Sequence, residues 1–90
     1  MTNFYMKDIS KPVYIVKDKY KNFNFKVYQA NIVGIFTKKK SVIGYMIRLE
    51  DSKEIEEYPD FEVYEKLSEA QEEAERLNQN SFLFRLIFCH

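Results

Sequence analysis

Two segments in which apolar and polar residues alternate are joined by almost nothing. Residues 22–37, NFNFKVYQANIVGIFT, run into residues 41–50, SVIGYMIRLE, across KKK alone. Strands this close in sequence pair antiparallel, because a parallel return needs a crossover of a dozen or more residues. The lysines therefore fall at the bend of a hairpin. The connection from Lys38 to Ser41 is tolerable at four residues, and it lacks the Asn-Gly or Asp-Gly pair that would dictate a turn type. In the second segment Ile43, Tyr45, Ile47 and Leu49 share one parity, and Val42, Gly44, Met46 and Arg48 form a mixed opposite face. In the first, Phe23, Phe25 and Val27 alternate with Asn24 and Lys26, and then the period blurs through QANIVGIF. A blurred period inside a long strand predicts a bulge, a bend or burial on both faces, with Gly34 as the natural site of a bend or close approach.

The flanking segments extend the pattern. KPVYIVK, residues 11–17, reads as a first strand with Pro12 at its entrance or on an edge, because proline has no amide to donate. EIEEY and FEVYE read as short strands separated by Pro59-Asp60. KLSEAQEEAERLNQN reads as a helix. Ser68 and Gln71 have the spacing of a capping box, and Leu67 is placed for a hydrophobic staple. Ala70, Ala74 and Leu77 form its narrow apolar stripe, while Glu69, Glu72, Glu73 and Glu75 cover the wet face. On that face Glu72 attracts Arg76 four residues on, and Glu69 repels Glu73. Asn78 to Asn80 should stop the helix, after which SFLFRLIF resumes strand parity with Phe82, Phe84, Leu86 and Phe88.

The expected fold is α+β and β-rich. It is a small antiparallel SH3-like barrel or curved sheet, with one C-terminal accessory helix followed by a final strand. A split βαβ arrangement is the alternative. Residues 1–90 are expected to form one domain, since a chain of 90 residues holds one small core at most. The long aromatic hairpin, the acidic EIEEY segment and FEVYEKLSEAQEEAERL resemble, over about residues 25–77, small uncharacterised single-domain proteins of Gram-positive bacteria and their phages. The resemblance implies an inhibitor or adaptor of host machinery and supplies no ligand residues.

Catalytic chemistry finds little to work with. His90 is the sole histidine, and Cys89 beside it would point to the opposite side of a strand. A structural zinc or iron-sulfur site needs more Cys and His than the chain has, and Asp51, Glu54, Glu56 and Glu57 lack the spacing of a calcium loop. Gly34 and Gly44 are too isolated to cradle a phosphate. No enzyme activity and no cofactor are expected. One cysteine permits no internal disulfide and suits a reducing cytoplasm. Lys7, Asp8 and Lys11 interrupt any signal-like segment, and FLFRLIF is short for a membrane span and broken by Arg85, so no membrane partner is expected.

Charge carries more information. Residues 1–48 hold ten Lys or Arg against two acids, a balance of +8, and residues 49–90 hold four against twelve, a balance of −8. Two recognition surfaces follow. A protein partner would meet Tyr58, Phe61 and Tyr64 as aromatic anchors, with Glu69, Glu72 and Glu73 supplying negative charge toward a basic groove. Nucleic acid would meet Lys38, Lys39 and Lys40 at the hairpin tip, with Lys26 and Lys17, Lys19 and Lys21 nearby and Arg48 as a bidentate reader. Self-association as a homo-oligomer through an exposed strand edge such as VYIV is a third route, suited to a structural component of a phage or mobile element. The primary expectation is a non-enzymatic module that binds, and blocks or bridges, a protein.

Overall fold

The alternation in the first half of the chain becomes three consecutive antiparallel strands, β1 (Val13–Lys17), β2 (Lys26–Lys38) and β3 (Ser41–Leu49). β4 (Ile55–Pro59) joins the far side of β3, giving one four-stranded sheet in the order β1-β2-β3-β4. A single 3-10 turn, Asp60–Glu62, follows, and then helix α1 (Leu67–Phe88). The computed structural model describes residues 6–88 and, for side chains, residues 6–80.

The blurred period of β2 has a definite cause. Tyr28, Ala30 and Ile32 share the core-facing parity, and their partners on β1 and β3 include Ile15, Val13, Leu49 and Ile47. The register then slips between Ile32 and Gly34, leaving Val33 unpaired, so Ile35 takes over the core side opposite Tyr45. Phe23 and Phe25, whose alternation with Asn24 and Lys26 opens the segment, lie before β2, and the odd parity they share with Val27 is not the core face. The core uses the even positions here, while Val27 pairs with Val16 on the other face and Phe23 is 49% exposed.

A second slip corrects the expected face of β3. Phe36 pairs with Gly44 and Thr37 with Val42, so Ile43 is the extra residue. Val42 packs against the core, and Ile43, which simple alternation puts inside with Tyr45, is 51% exposed. The turn beyond is tighter than four residues. Lys38 pairs with Ser41, and Lys39 and Lys40 alone make the bend, with φ of 51° and 66°. Two consecutive left-handed residues define a type I′ turn, whose twist matches that of the strands.

The core is one cluster, built around Val13, Ile15, Tyr45, Ile47 and Leu49 and closed by Val63. The sheet is not closed, but it curls. Lys17 on β1 reaches Glu56 on β4, Nζ to Oε2 2.7 Å, although these strands lie at opposite ends of the sheet order. Among the described residues the outer edge of β1 meets one isolated bridge. Tyr14 N–H donates to the Tyr64 carbonyl at 2.8 Å, and Tyr64 N–H donates to the Tyr14 carbonyl at 2.9 Å. FEVYE is thus a 3-10 turn and one bridge where a fifth strand was expected, because the fixed φ of Pro59 (−64°) leads straight into the turn.

Helix α1 lies against β1 and β2. Ala70 and Ala74 are buried on the expected stripe and stand outside the main cluster, so the helix adds a second, thinner layer. It begins one residue before Ser68. The Lys66 carbonyl accepts from Ala70 N–H at 3.3 Å, so Lys66 is the boundary and Ser68 lies inside the first turn. The expected stop at Asn78 and the final strand at SFLFRLIF are both corrected, for α1 runs unbroken through Phe88, 22 residues and roughly 33 Å. Asn78 spends its amide on a tertiary clamp. Its Oδ1 accepts from Phe25 N–H at 2.6 Å and its Nδ2 donates to the Phe25 carbonyl at 3.0 Å. With neither Gly nor Pro after it, nothing ends the helix, and a short apolar run does not by itself distinguish strand from helix.

Candidate macromolecule-binding surfaces

The acidic and aromatic residues converge where the 3-10 turn meets α1. Phe61, at the centre of the turn, is 77% exposed, and the turn buries none of its residues. The turn itself is held from beneath. Lys7, buried near the N-terminal end of the described chain, donates from Nζ to the Asp60 carbonyl at 3.0 Å and to Asp60 Oδ1 at 2.6 Å. Lys7 N–H also donates to the Tyr45 hydroxyl at 3.1 Å, and its ammonium sits 5.0 Å from the centre of that ring. The buried cation thus ties Asp60 to the core. Phe61 is left pointing outward between Asp60 and Glu62.

Two adjoining clefts organise the other candidates. One, of about 290 Å³, is lined by Phe61, Tyr64 and Glu69 with Lys7 and Asp60. The next, of about 260 Å³, is lined by Tyr58, Tyr64 and Glu73 with Val16 and Leu77. Tyr64 is common to both. Glu72 is exposed and lines neither of these clefts. The three aromatics therefore play different parts. Tyr58 is half-buried against the core and donates its hydroxyl to Glu56 Oε1 at 2.7 Å; burial, then that carboxylate, push its pKa well up. Tyr64 is half-buried, and burial followed by the charge of Glu73 raises it too. Phe61 alone is free to enter a partner. Glu73 is held below the usual carboxylate range by the Arg76 guanidinium. Arg76 was expected to pair with Glu72; it pairs with Glu73, three residues away, its Nε to Oε2 at 3.1 Å.

The basic candidates are dispersed. Lys38, Lys39 and Lys40 are exposed at the hairpin tip and form no ion pair among the described residues. Lys26 stands at the other end of β2, twelve residues from Lys38 and roughly 40 Å along the strand. Lys17, Lys19 and Lys21 belong to that same far end, and Lys17 is neutralised by Glu56. Arg48 is exposed on β3 beside Asn31, well back from the tip. A single basic face joining these residues is not formed.

Sequence reasoning missed a groove. Phe36, Ile43, Gly44, Glu57, Tyr58 and Pro59 line an open cavity of about 390 Å³ beside the lysine tip. Its floor depends on the Ile43 bulge, and the only foreshadowing of a bulge lay in the other strand. The Lys7 tie to Asp60 also escaped notice, since nothing in MKD distinguishes a buried lysine from a solvated one. Among the described residues no group of three His, Cys, Asp or Glu side chains could hold a metal ion, and no helix is long and apolar enough to cross a membrane. No protein-family model matches the chain, and no curated protein or solved structure is significantly similar to it.

Proposed function

We propose that the protein is a non-enzymatic recognition module that binds, and blocks or bridges, a protein partner through Phe61 and the acids around it. The scaffold reading is an opened SH3-like barrel: four meandering strands, a 3-10 turn, and a bridge that returns to β1 at Tyr14. The reading rests on one observation. A phenylalanine 77% exposed gains nothing in the isolated domain, yet its turn is fixed by a buried ammonium through two hydrogen bonds. A rigid aromatic knob costs little entropy to dock, and Glu62 and Glu69 beside it favour a pocket with a basic rim. The lone cysteine suits a cytoplasmic setting for that encounter.

A photocrosslinking side chain at position 61 tests this in nuclease-treated host lysate, with the same group at exposed Lys53 as the control. The expected result is a discrete adduct from position 61 alone, competed away by unlabelled wild-type protein and not by Phe61→Ser. Equal labelling from both positions, or equal competition by Phe61→Ser, overturns the proposal.

A further inference from the structure

We infer that the cleft between β4, the 3-10 turn and α1 is a socket for a cationic side chain, an arginine or lysine carried by the protein partner. This names the chemistry that the partner brings beside Phe61, and so rests on the reading above. The socket is the cleft of about 260 Å³ lined by Val16, Tyr58, Glu62, Tyr64, Glu73 and Leu77. Its place follows from the open sheet. β1 and β4 end the strand order unpaired with each other, and the cleft takes Val16 from one and Tyr58 from the other. Both rings are fixed. Tyr64 is held through its backbone by the two bonds to Tyr14, and the Tyr58 hydroxyl donates to Glu56 Oε1, while Glu56 Oε2 accepts from Lys17 Nζ.

Four carboxylates bear on the two rings, and two of them are neutralised. Glu56 is paired with Lys17 and Glu73 with Arg76. Glu62 lines the cleft, Glu69 lines the adjoining one, and neither makes an ion pair among the described residues. Their field reaches both phenols. Burial first, then Glu56, pushes the Tyr58 pKa up, and Glu62 adds to the push. Burial first, then Glu73, raises Tyr64; Arg76 opposes, and Glu62 and Glu69 add to the rise. A potential that resists a phenolate attracts a cation. The walls suit an organic cation in particular. Val16 and Leu77 can cover the methylene stem that lysine and arginine bury, and tyrosine rings attract the charged head. A bare metal ion fits poorly, since among the described residues no group of three His, Cys, Asp or Glu side chains could hold one. Phosphates would meet Glu62 and Glu69, and like charges at an interface repel.

Titration of the isotope-labelled full chain with the N-acetyl methylamides of arginine, lysine and neutral norleucine, read by amide chemical shifts at low salt, tests the inference. One side chain binds weakly, with Kd of about 1–10 mM. Both cations should give saturable shifts centred on Tyr58, Glu62 and Tyr64, and norleucine should not. Glu62→Gln should weaken binding about twofold to fivefold, and Glu62→Lys about tenfold or more. Tyr64→Leu keeps bulk, removes the ring and should weaken it about threefold. Circular dichroism checks that each variant is folded; the Glu62 variants, on an exposed turn position, decide the matter if Tyr64→Leu is not. Equal shifts from norleucine, or cation shifts as large at exposed Asp51 and Glu54 as in the cleft, overturn the inference. So does binding indifferent to Glu62→Lys. Against the position-61 adduct, Glu62→Lys should compete about tenfold less well than the wild-type chain. Equal competition overturns the inference and leaves the Phe61 reading standing, whereas saturable cation binding without any position-61 adduct supports the socket and removes that reading.

Discussion

Replacing Lys39-Lys40 with Asn-Gly should stabilise the protein, and the turn geometry sets how much. Both lysines have left-handed backbone, φ 51° and 66°, in a bend only two residues long. Each Cβ there crowds a carbonyl, at about 1 kcal/mol per residue, so the pair stores about 2 kcal/mol. Glycine removes its share and asparagine part of its own, while the greater freedom of glycine in the unfolded chain takes back about 0.5–1 kcal/mol. The net gain is about 1 kcal/mol. In a domain of this size that raises Tm by roughly 5 °C. Thermal unfolding and urea titration, followed by circular dichroism, should show a higher midpoint with an unchanged urea slope. Lys39→Gln/Lys40→Gln separates the causes, since it removes the same charges and keeps the backbone strain. If Asn-Gly gains nothing over Gln-Gln, the I′ geometry is wrong and the strain argument fails with it.

Three further outcomes follow from the packing. Lys7→Met, which keeps the aliphatic stem and removes the ammonium, should cost about 1–2 kcal/mol by urea titration; a fully buried pair would cost more, but the Asp60 side chain is 41% exposed. Gly44→Ala should cost about 2 kcal/mol or more, because the new Cβ meets backbone at 2.8 Å; Gly34→Ala should cost less, its nearest neighbour being the Met46 Cβ at 3.1 Å. Burial opposes ionisation of Glu56, yet the Lys17 and Tyr58 hydrogen bonds hold its pKa below the usual 4.5. A carboxyl depressed by folding contributes stability that is complete above its unfolded pKa and disappears as pH falls through the folded value. The urea midpoint should therefore drop between about pH 5 and about pH 3, and less steeply in Glu56→Gln; identical slopes would show that the seam pair contributes nothing.

Much of the sheet was legible because antiparallel neighbours leave a local signature. The hairpin position, the first strand and the irregularity of β2 all follow from parity and spacing within ten or so residues. The errors share a cause of a different kind. Ile43 and Val42 exchange faces because of a bulge, and a one-residue slip inverts parity without altering composition. The final strand failed because FLFRLIF is compatible with either period, and the residue that looked like a stop, Asn78, is occupied by Phe25, 53 positions away. The fifth strand shrank to one bridge at Tyr64 because Pro59 redirects the chain into a 3-10 turn first. Of the candidate sites, the charge map was readable from sequence. The prominence of Phe61 among three nearby aromatics was not, since it depends on which rings the curl of the sheet consumes.

That curl also decides what the opposed charges can do. Lys7–Asp60 and Lys17–Glu56 are the ion pairs that join the basic half to the acidic half among the described residues, and both lie where the folded chain brings its two halves together. Their side chains are largely withdrawn from water except for Asp60, so salt screens them weakly. The remaining lysines of the tip and the acids of β4, the 3-10 turn and α1 are left in solvent without partners across that seam. Folding thus uses the charge asymmetry only at its join, and the rest can act on whatever approaches. Fold stability should respond little to ionic strength while any complex formed through those exposed charges responds strongly. A chain whose charges were simply interleaved would show neither contrast.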